Sequence, residues 1–353
     1  MSERIVLFDS VISMFERLIN DDAWTRPRDV SVFTRLLGNV PVQMLDVGAR
    51  GGLQRRWRPF ADVLDAVGFE PDPDEFKRLS ATTNGGRRFL PYALGGAHQR
   101  LQFHVCESPG CSSLYPPNEE FAGRFSDTIR SMMSLKSVAE FEVVPLDEVA
   151  AREHLRPDCL KVDVQGAELD VLRGGSSILK NLKLIELEVE FNHQYKGQAL
   201  FSEIDLFLRQ HGFALLGLRR SFWRHRESVA RGKSAGGGHL VHGDVLYYNA
   251  GQIETTTPLC TRDLAAWLLL LGAYRQSDFV LHLLETHLAS RTLSDTDKRL
   301  IQRTLIVQPT AARRLVRALL APIVNDVGHV AMRQWVDSLR STPAEDWHDP
   351  DFF

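Results

Sequence analysis

The chain is poor in cysteine and places none of it in a C-x-x-C pair. Cys106, Cys111, Cys159 and Cys260 are the four among 353 residues. Their spacing suits neither a zinc site nor a disulfide framework, so reduced thiols in a cytoplasmic protein are expected. A long apolar run is also missing. The most apolar stretch, Leu264–Tyr274, falls far short of the ~20 residues a membrane span needs. Glu3, Arg4 and Asp9 stand where a signal peptide would carry its apolar core. There is no basic excess either: a net charge of −3 argues against a general nucleic-acid binder. With 44% hydrophobic and 25% charged residues, the composition is that of a soluble globular protein. The length predicts several domains, or one large domain with additions.

The most informative stretch is Gln43–Asp72. Met44–Val47 is a short apolar run broken by one acid, which suits a buried parallel strand. Gly48, Gly51 and Gly52 follow, so the chain turns tightly with no Cβ in a ligand's way. A helical stretch and a second apolar run ending in Glu70 complete a strand–turn–helix–strand–acid unit. In a doubly wound sheet such a unit holds a nucleoside at the strands' carboxyl ends, with the acid on the ribose. The dinucleotide pattern G-x-G-x-x-G fails, because Arg50 and Leu53 stand where glycines are required. The spacing Asp46-x-Gly48-x-x-x-Gly52 resembles instead the first motif of S-adenosylmethionine-dependent methyltransferases.

Residues 1–40 read as helical: Leu7, Val11, Phe15 and Leu18 fall at helical spacing, and Val30–Leu37 suggests a second short helix. Residues 41–250 alternate strands and helices, which predicts a layered α/β domain. After a helix at Asp74–Ser80, strands are expected at Arg88–Leu94, Leu101–Cys106, Phe141–Pro145, Cys159–Val164, Leu184–Phe191, Phe213–Leu218 and Val245–Tyr248. Helices are expected within Glu119–Ser137 and at Ala167–Lys180 and Phe201–His211. Beyond a linker at Thr255–Pro258, residues 251–353 show four helical stretches, Leu264–Tyr274, Phe279–Ala289, Asp297–Val307 and Ala311–Leu339. Ser294 and Thr310 stand in N-cap positions. Arg313, Arg314 and Arg317 are expected on a solvated face, with a partner or acidic-ligand surface as the alternative, and Trp347, Phe352 and Phe353 are the dockable residues of the tail. The terminal helices are candidate surfaces for self-association.

A second signature runs from Leu160 to Gly175. The strand ends in Asp163 and Gln165, turns at Gly166, and starts a helix with Glu168 in its first turn, where the helix dipole favours a carboxylate. Asp163-Val164-Gln165-Gly166-Ala167-Glu168 with Leu172-Arg173-Gly174 resembles the hallmark of FkbM-type methyltransferases. So do Asp46-Val47-Gly48-Ala49, Phe69-Glu70-Pro71-Asp72-Pro73, Ala93-Leu94-Gly95, Ser112-Ser113-Leu114, Leu146-Asp147-Glu148, and Glu188–Phe191 followed by Gly212-Phe213. The pieces occur in the family's order and cover about residues 41–250. The resemblance implies a class I methyltransferase (Rossmann-like) α/β fold, a doubly wound seven-stranded sheet with an antiparallel last strand, here with a C-terminal helical extension. It also implies S-adenosylmethionine as cofactor and O-methylation of a sugar, glycan or natural-product hydroxyl. Arg50 departs from the family's usual Asn.

On this reading Asp46, Gly48, Ala49, Arg50, Gly52, Glu70, Pro71, Asp72, Leu94 and Asp163 surround the cofactor, with Glu70 on the ribose diol. Arg50 can either obstruct or bind the methionine carboxylate. The acceptor's base is sought among Asp163, Glu168, Glu190 and His193, with Gln165 beside them. Asp163, Glu190, Asn192 and His193 could hold Mg²⁺ by oxygen ligation, but they show no coordination pattern, and no metal is expected. Arg219, Arg220, Arg224, Arg226, Arg231 and Lys233 form a basic stretch that reads either as a flap closing over an anionic acceptor or as an ordinary solvated loop. A catalytically inactive binding or scaffold protein is the alternative; a nicotinamide oxidoreductase is disfavoured by the failed glycine pattern.

Overall fold

The computed structural model describes residues 29–81, 87–226, 238–254, 259–286 and 293–306. Among the described residues ten strands appear in chain order: β1 Val42–Val47, β2 Leu64–Phe69, β3 Arg87–Leu90, β4 Ala93–Gly95, β5 Gln99–Cys106, β6 Leu135–Pro145, β7 Cys159–Val162, β8 Leu184–Glu190, β9 Phe213–Trp223 and β10 His239–Asn249. Seven form one sheet in the order β3-β2-β1-β7-β8-β10-β9. β10, the last strand, runs antiparallel to both of its neighbours, whereas β1 pairs parallel with β2 and β7. This is the expected class I methyltransferase topology. The order reverses between β1 and β7, so the carboxyl ends of those two strands border the crevice where such sheets take ligands.

Two cores sandwich the sheet. One face carries Leu45, Val67, Leu160, Ile185, Leu187 and Val245, covered by side chains of Leu146–Arg152, Glu168–Gly174 and Phe201–Gln210. The other carries Met44, Cys159, Leu184 and Leu246, packed with Phe33 and Leu36 of helix Ser31–Leu37, with Trp57 and Phe60, and with Thr261–Ala273. All ten residues from Leu264 to Ala273 are buried, so this apolar run is an all-round buried core helix. Helices Ser277–Glu285 and Asp295–Leu305 complete that layer. Ser294 caps the latter, accepting from Asp297 N at 3.1 Å.

Several elements differ from the sequence expectation. The single strand expected at Arg88–Leu94 is two strands in different sheets. Pro91 offers no ladder donor; beyond it Ala93 pairs with Val143 of β6, in a small β4-β6-β5 sheet. Within Glu119–Ser137 the helices are short, Glu119–Ala122 and Asp127–Met132, and the chain is extended again from Leu135. The helix after the first glycine turn, Arg55–Val63, is a 3₁₀ segment containing Pro59. The helix expected at Ala167–Lys180 breaks at Gly175. The expected amphipathic helix holding Leu7, Val11, Phe15 and Leu18, the expected linker Thr255–Pro258, residues Arg231 and Lys233, Thr310, the helix expected at Ala311–Leu339 with its arginines, and the tail lie outside the described residues.

The first glycine turn is held against β7. Gly48 has φ +82, and a Cβ built there would lie 1.9 Å from the Asp163 carbonyl oxygen. Gly51 has the same φ of +82 but open space around it. The two positions therefore separate backbone strain from collision. Gly51→Ala is expected to cost about 1–2 kcal/mol of stability, the left-handed penalty alone. Gly48→Ala is expected to cost at least about 3 kcal/mol, because backbone must move as well. Urea unfolding of the two variants checks this, and equal losses would contradict it.

Candidate active site

A cavity of about 560 Å³ opens at the carboxyl ends of the strands, within the size range of small-molecule sites. At one end it is lined by Gly48, Arg50, Glu70, Pro71, Asp72 and Leu94. At the other lie Glu186, Glu188, Arg219, Ser221, His242 and Asp244. Asp163 and Gln165 of the central turn border it too, and Phe103, Leu114, Met132 and Phe141 from the excursion between β4 and β7 add apolar lining.

The charged floor follows from strand register. Met44, Cys159 and Leu184 share one face with Asp46, Lys161, Glu186 and Glu188 two or four residues further on, since side chains alternate along a strand. The same face is thus apolar beneath Thr261–Ala273 and ionic beyond it. At the boundary Arg56 Nη2 donates to Glu186 Oε1 at 3.0 Å and the Tyr274 hydroxyl to Glu186 Oε2 at 2.8 Å. Lys161 Nζ lies 3.2 Å from Asp46 Oδ1 and 3.6 Å from Asp163 Oδ2. Burial works to lower the Lys161 pKa, but Asp46, Asp163 and Glu186 together raise it. Burial raises Asp46, partly offset by Lys161.

At the first turn, the N–H groups of Gly48 and Ala49 donate to Phe69 O at 3.2 and 3.0 Å, tying the turn to the end of β2. Glu70 is buried at the next position, and its Oε1 accepts from Asp72 N at 2.9 Å. Burial raises its pKa, while the Asp72 N–H and Arg50 pull it back. Asp72 caps helix Pro73–Ser80, accepting from Asp74 N and Glu75 N. Its pKa is lowered: burial opposes this, but the Glu75 N–H and Arg50 prevail. Arg50 Nη2 is 2.7 Å from Asp72 Oδ2 and 4.0 Å from Glu70 Oε1.

The second turn is a network around Gln165, which adopts φ +58, uncommon for a residue with a side chain. Ser113 Oγ donates to its carbonyl at 2.6 Å. Its Nε2 donates to Asp163 Oδ1 at 2.9 Å and also to Glu188 Oε2, while the Tyr195 hydroxyl lies 2.9 Å from its Oε1. Glu188 Oε1 in turn takes the Nδ1 of His242 at 2.8 Å. Burial and Asp163 push the Glu188 carboxyl up to about 7 against the pull of His242. The His242 pKa is raised as well: its own burial would lower it, but Glu188 wins.

The expected site residues divide three ways. Gly48, Arg50, Glu70, Pro71, Asp72, Leu94, Asp163 and Gln165 meet around the cavity. Asp46, Ala49 and Gly52 support the turn without lining it, as does Glu168, which accepts from Val164 N at 2.9 Å and Gly166 N at 2.9 Å and so closes its own turn. Glu190 is fully buried, both its oxygens lack a hydrogen-bond partner, and it does not line the cavity. His193 is exposed, its carbonyl accepting from Asn118 Nδ2 at 2.9 Å. Asn192 Nδ2 donates to Leu240 O. Among the described residues no three His, Cys, Asp or Glu converge to hold a metal. Arg224 and Arg226 are exposed and outside the lining, whereas Arg219 lies within it. The strongest additions are Glu188 and His242. Alternation of Glu186, Glu188 and Glu190 within a buried strand was the available signal for the first of them.

Residues 46–215 match the Methyltransferase FkbM domain. Asp46 and the second signature at Asp163–Glu168 both lie within the match. His242 on β10 lies outside the match but lines the same cavity. Over 121 residues the chain is 31% identical to the hexuronic acid methyltransferase AglP of Haloferax volcanii, covering 34% of this chain and 45% of that protein. The chain thus matches less than half of that relative's length. Among solved structures it is similar to the 1,6-didemethyltoxoflavin-N1-methyltransferase of Burkholderia thailandensis, which holds 1,6-didemethyltoxoflavin and S-adenosylhomocysteine. Identity there is 14% and the TM-score 0.27, with 70% of this chain and 89% of that one covered. It is also similar to a SAM-dependent methyltransferase of Agrobacterium tumefaciens, with 10% identity, a TM-score of 0.29, and 62% and 60% of the two chains covered.

The Glu188–His242 pair fixes the sign of a pH dependence. Glu188 moves from an ordinary 4.5 to about 7 on folding. Its contribution is therefore fully present below its unfolded value and lost as pH rises through the folded one. The raised His242 acts in the same direction. The unfolding free energy of the wild type is expected to fall from about pH 5 to pH 8, and that of Glu188→Gln to fall less steeply. Parallel denaturant titrations across this range check it; identical slopes would contradict it.

Proposed function

We propose that this protein is an S-adenosylmethionine-dependent O-methyltransferase acting on a hydroxyl or carboxyl oxygen of a sugar-type acceptor. The observation that carries the reading is the continuity of one cavity from the Glu70 end to the Glu188–His242 end. A nucleoside site and an acceptor site with a proton acceptor thereby adjoin. The hexuronic acid methyltransferase relative supports the sugar class.

The residues present suit the cofactor. Glu70 offers a carboxylate whose one oxygen is steadied by Asp72 N, leaving the geometry for a diol. Asp163 is a carboxylate fit for an ammonium group, and Gly48 keeps the turn close to β7. Bound there, S-adenosylmethionine supplies an electrophilic methyl group on sulfur. The protein's own part is alignment of the acceptor oxygen, chiefly a positioning effect. Gln165 performs this by holding Asp163 and Glu188 from one amide. Where the acceptor is a hydroxyl, the Glu188–His242 pair receives its proton; Glu188 keeps the Nδ1 proton in place and the imidazole oriented.

The test has two arms. Titration calorimetry with S-adenosylmethionine is expected to give binding that Glu70→Ala weakens about 10- to 100-fold, the worth of hydrogen bonds to a charged group. Radiolabelled methyl transfer to hexuronic acid glycosides is expected from the wild type. On a hydroxyl acceptor, Glu188→Gln is expected to lower kcat about 10²- to 10⁴-fold with cofactor binding retained. Cofactor binding indifferent to Glu70 would overturn the reading.

A further inference from the structure

We infer that Arg50 is a specificity residue that takes the α-carboxylate of an amino-acid-bearing nucleoside, so that the cavity selects the whole cofactor rather than its nucleoside part. This rests on the reading of the cavity as an S-adenosylmethionine site. It concerns a residue found where the resembling family usually has Asn.

The backbone under Arg50 is rigid. Gly52 N donates to Ala49 O and Gly51 N to Glu75 Oε1, both at 2.9 Å, and Gly48 and Ala49 are tied to Phe69. The guanidinium is nevertheless easily moved. Its side chain is 36% exposed, and its 2.7 Å partner Asp72 is 40% exposed. An ion pair so exposed contributes little to stability, so exchanging it for a ligand carboxylate costs little. Asp72 does not need the arginine to stay in place, because its Oδ1 already caps the helix through Asp74 N and Glu75 N.

The charge pattern selects the ligand. At this end of the cavity Glu70, Asp72 and Asp163 present carboxylates, and the other nearby cations are engaged. Among the described residues, Lys161 is buried between Asp46 and Asp163, and Arg78 pairs with Glu75 at 2.7 Å. An α-amino acid attached to a ribose complements this set: diol to Glu70, ammonium to Asp163, carboxylate to Arg50. The planar guanidinium suits a carboxylate in two-point contact. The same guanidinium chemistry would suit a phosphate, so the experiment must separate the two.

Wild type, Arg50→Gln and Arg50→Lys, each confirmed folded by thermal unfolding, are titrated calorimetrically with S-adenosylmethionine, its decarboxylated analogue and NAD⁺. Wild type is expected to prefer S-adenosylmethionine over the decarboxylated analogue. Arg50→Gln is expected to weaken S-adenosylmethionine about 10- to 100-fold while changing the decarboxylated analogue by less than about twofold. Arg50→Lys is expected to retain part of the preference. Equal effects on both sulfonium ligands, no effect on either, or Arg50-dependent NAD⁺ binding would overturn the inference. Binding of S-adenosylmethionine that ignores Arg50 removes this inference alone. Wild type that binds neither sulfonium ligand removes the cofactor reading with it.

Discussion

The site depends on one buried ionic row. Asp46, Lys161 and Glu186 are register neighbours across β1, β7 and β8. None is left alone: Lys161 is shared by Asp46 and Asp163, and Glu186 by Arg56 and Tyr274. Buried ion pairs often return less than the desolvation they require, so the row is poorly explained as a stabilising device. Its effect is geometric. It ends the apolar core under Thr261–Ala273 and fixes the position from which Asp163 and Glu188 project. Removing one partner would leave an uncompensated buried charge, which ties site geometry to fold stability.

Strain next to this row points the same way. Gln165 is held at positive φ by bonds from Ser113, to Asp163 and Glu188, and with Tyr195. Ser113 belongs to the excursion that carries the apolar lining, and Tyr195 follows β8. A single residue, through its carbonyl and its side-chain amide, thus joins the excursion between β4 and β7, the central turn and the floor. Glu168 fastens the same turn from below through backbone N–H groups, the work of a buried carboxylate at a turn. That accounts for the second signature without requiring each of its acids to touch a ligand.

Most of the fold was legible, because strands such as Met44–Val47, Cys159–Val164 and Leu184–Phe191 are apolar runs bounded by glycine or polar turns. What the sequence hid were breaks and pairings. Pro91 splits one apolar run between two sheets, and the chain from Leu135 is half exposed, so its pattern resembles a polar helix. The meeting of Gly48, Glu70 and Asp163 at one cavity was legible from local motifs, since these residues lie where turns place them. The far end was not. Glu188 and His242 sit on strands that are neighbours in space and 54 positions apart in the chain; no local spacing encodes that contact. His193, close in sequence to Glu190, was the nearer choice but faces solvent.

Two carboxyls on one face of β8 show how environment divides roles. Glu190 is enclosed without a hydrogen-bond partner, and burial together with Glu168, Glu188 and Asp163 raises its pKa far above the ordinary value. Glu188, two residues earlier, meets the same kind of neighbours but also His242 and Gln165, and it lines the cavity. Its pKa near 7 lets it exchange a proton in the range where a base is useful. Pairs of titratable groups pushed apart in this way are the mark of assigned acid–base roles. Glu190 still bears on the pair: any charge it carried would add a third carboxylate beside Asp163 and Glu188 and favour the protonated form of Glu188, the proposed proton acceptor.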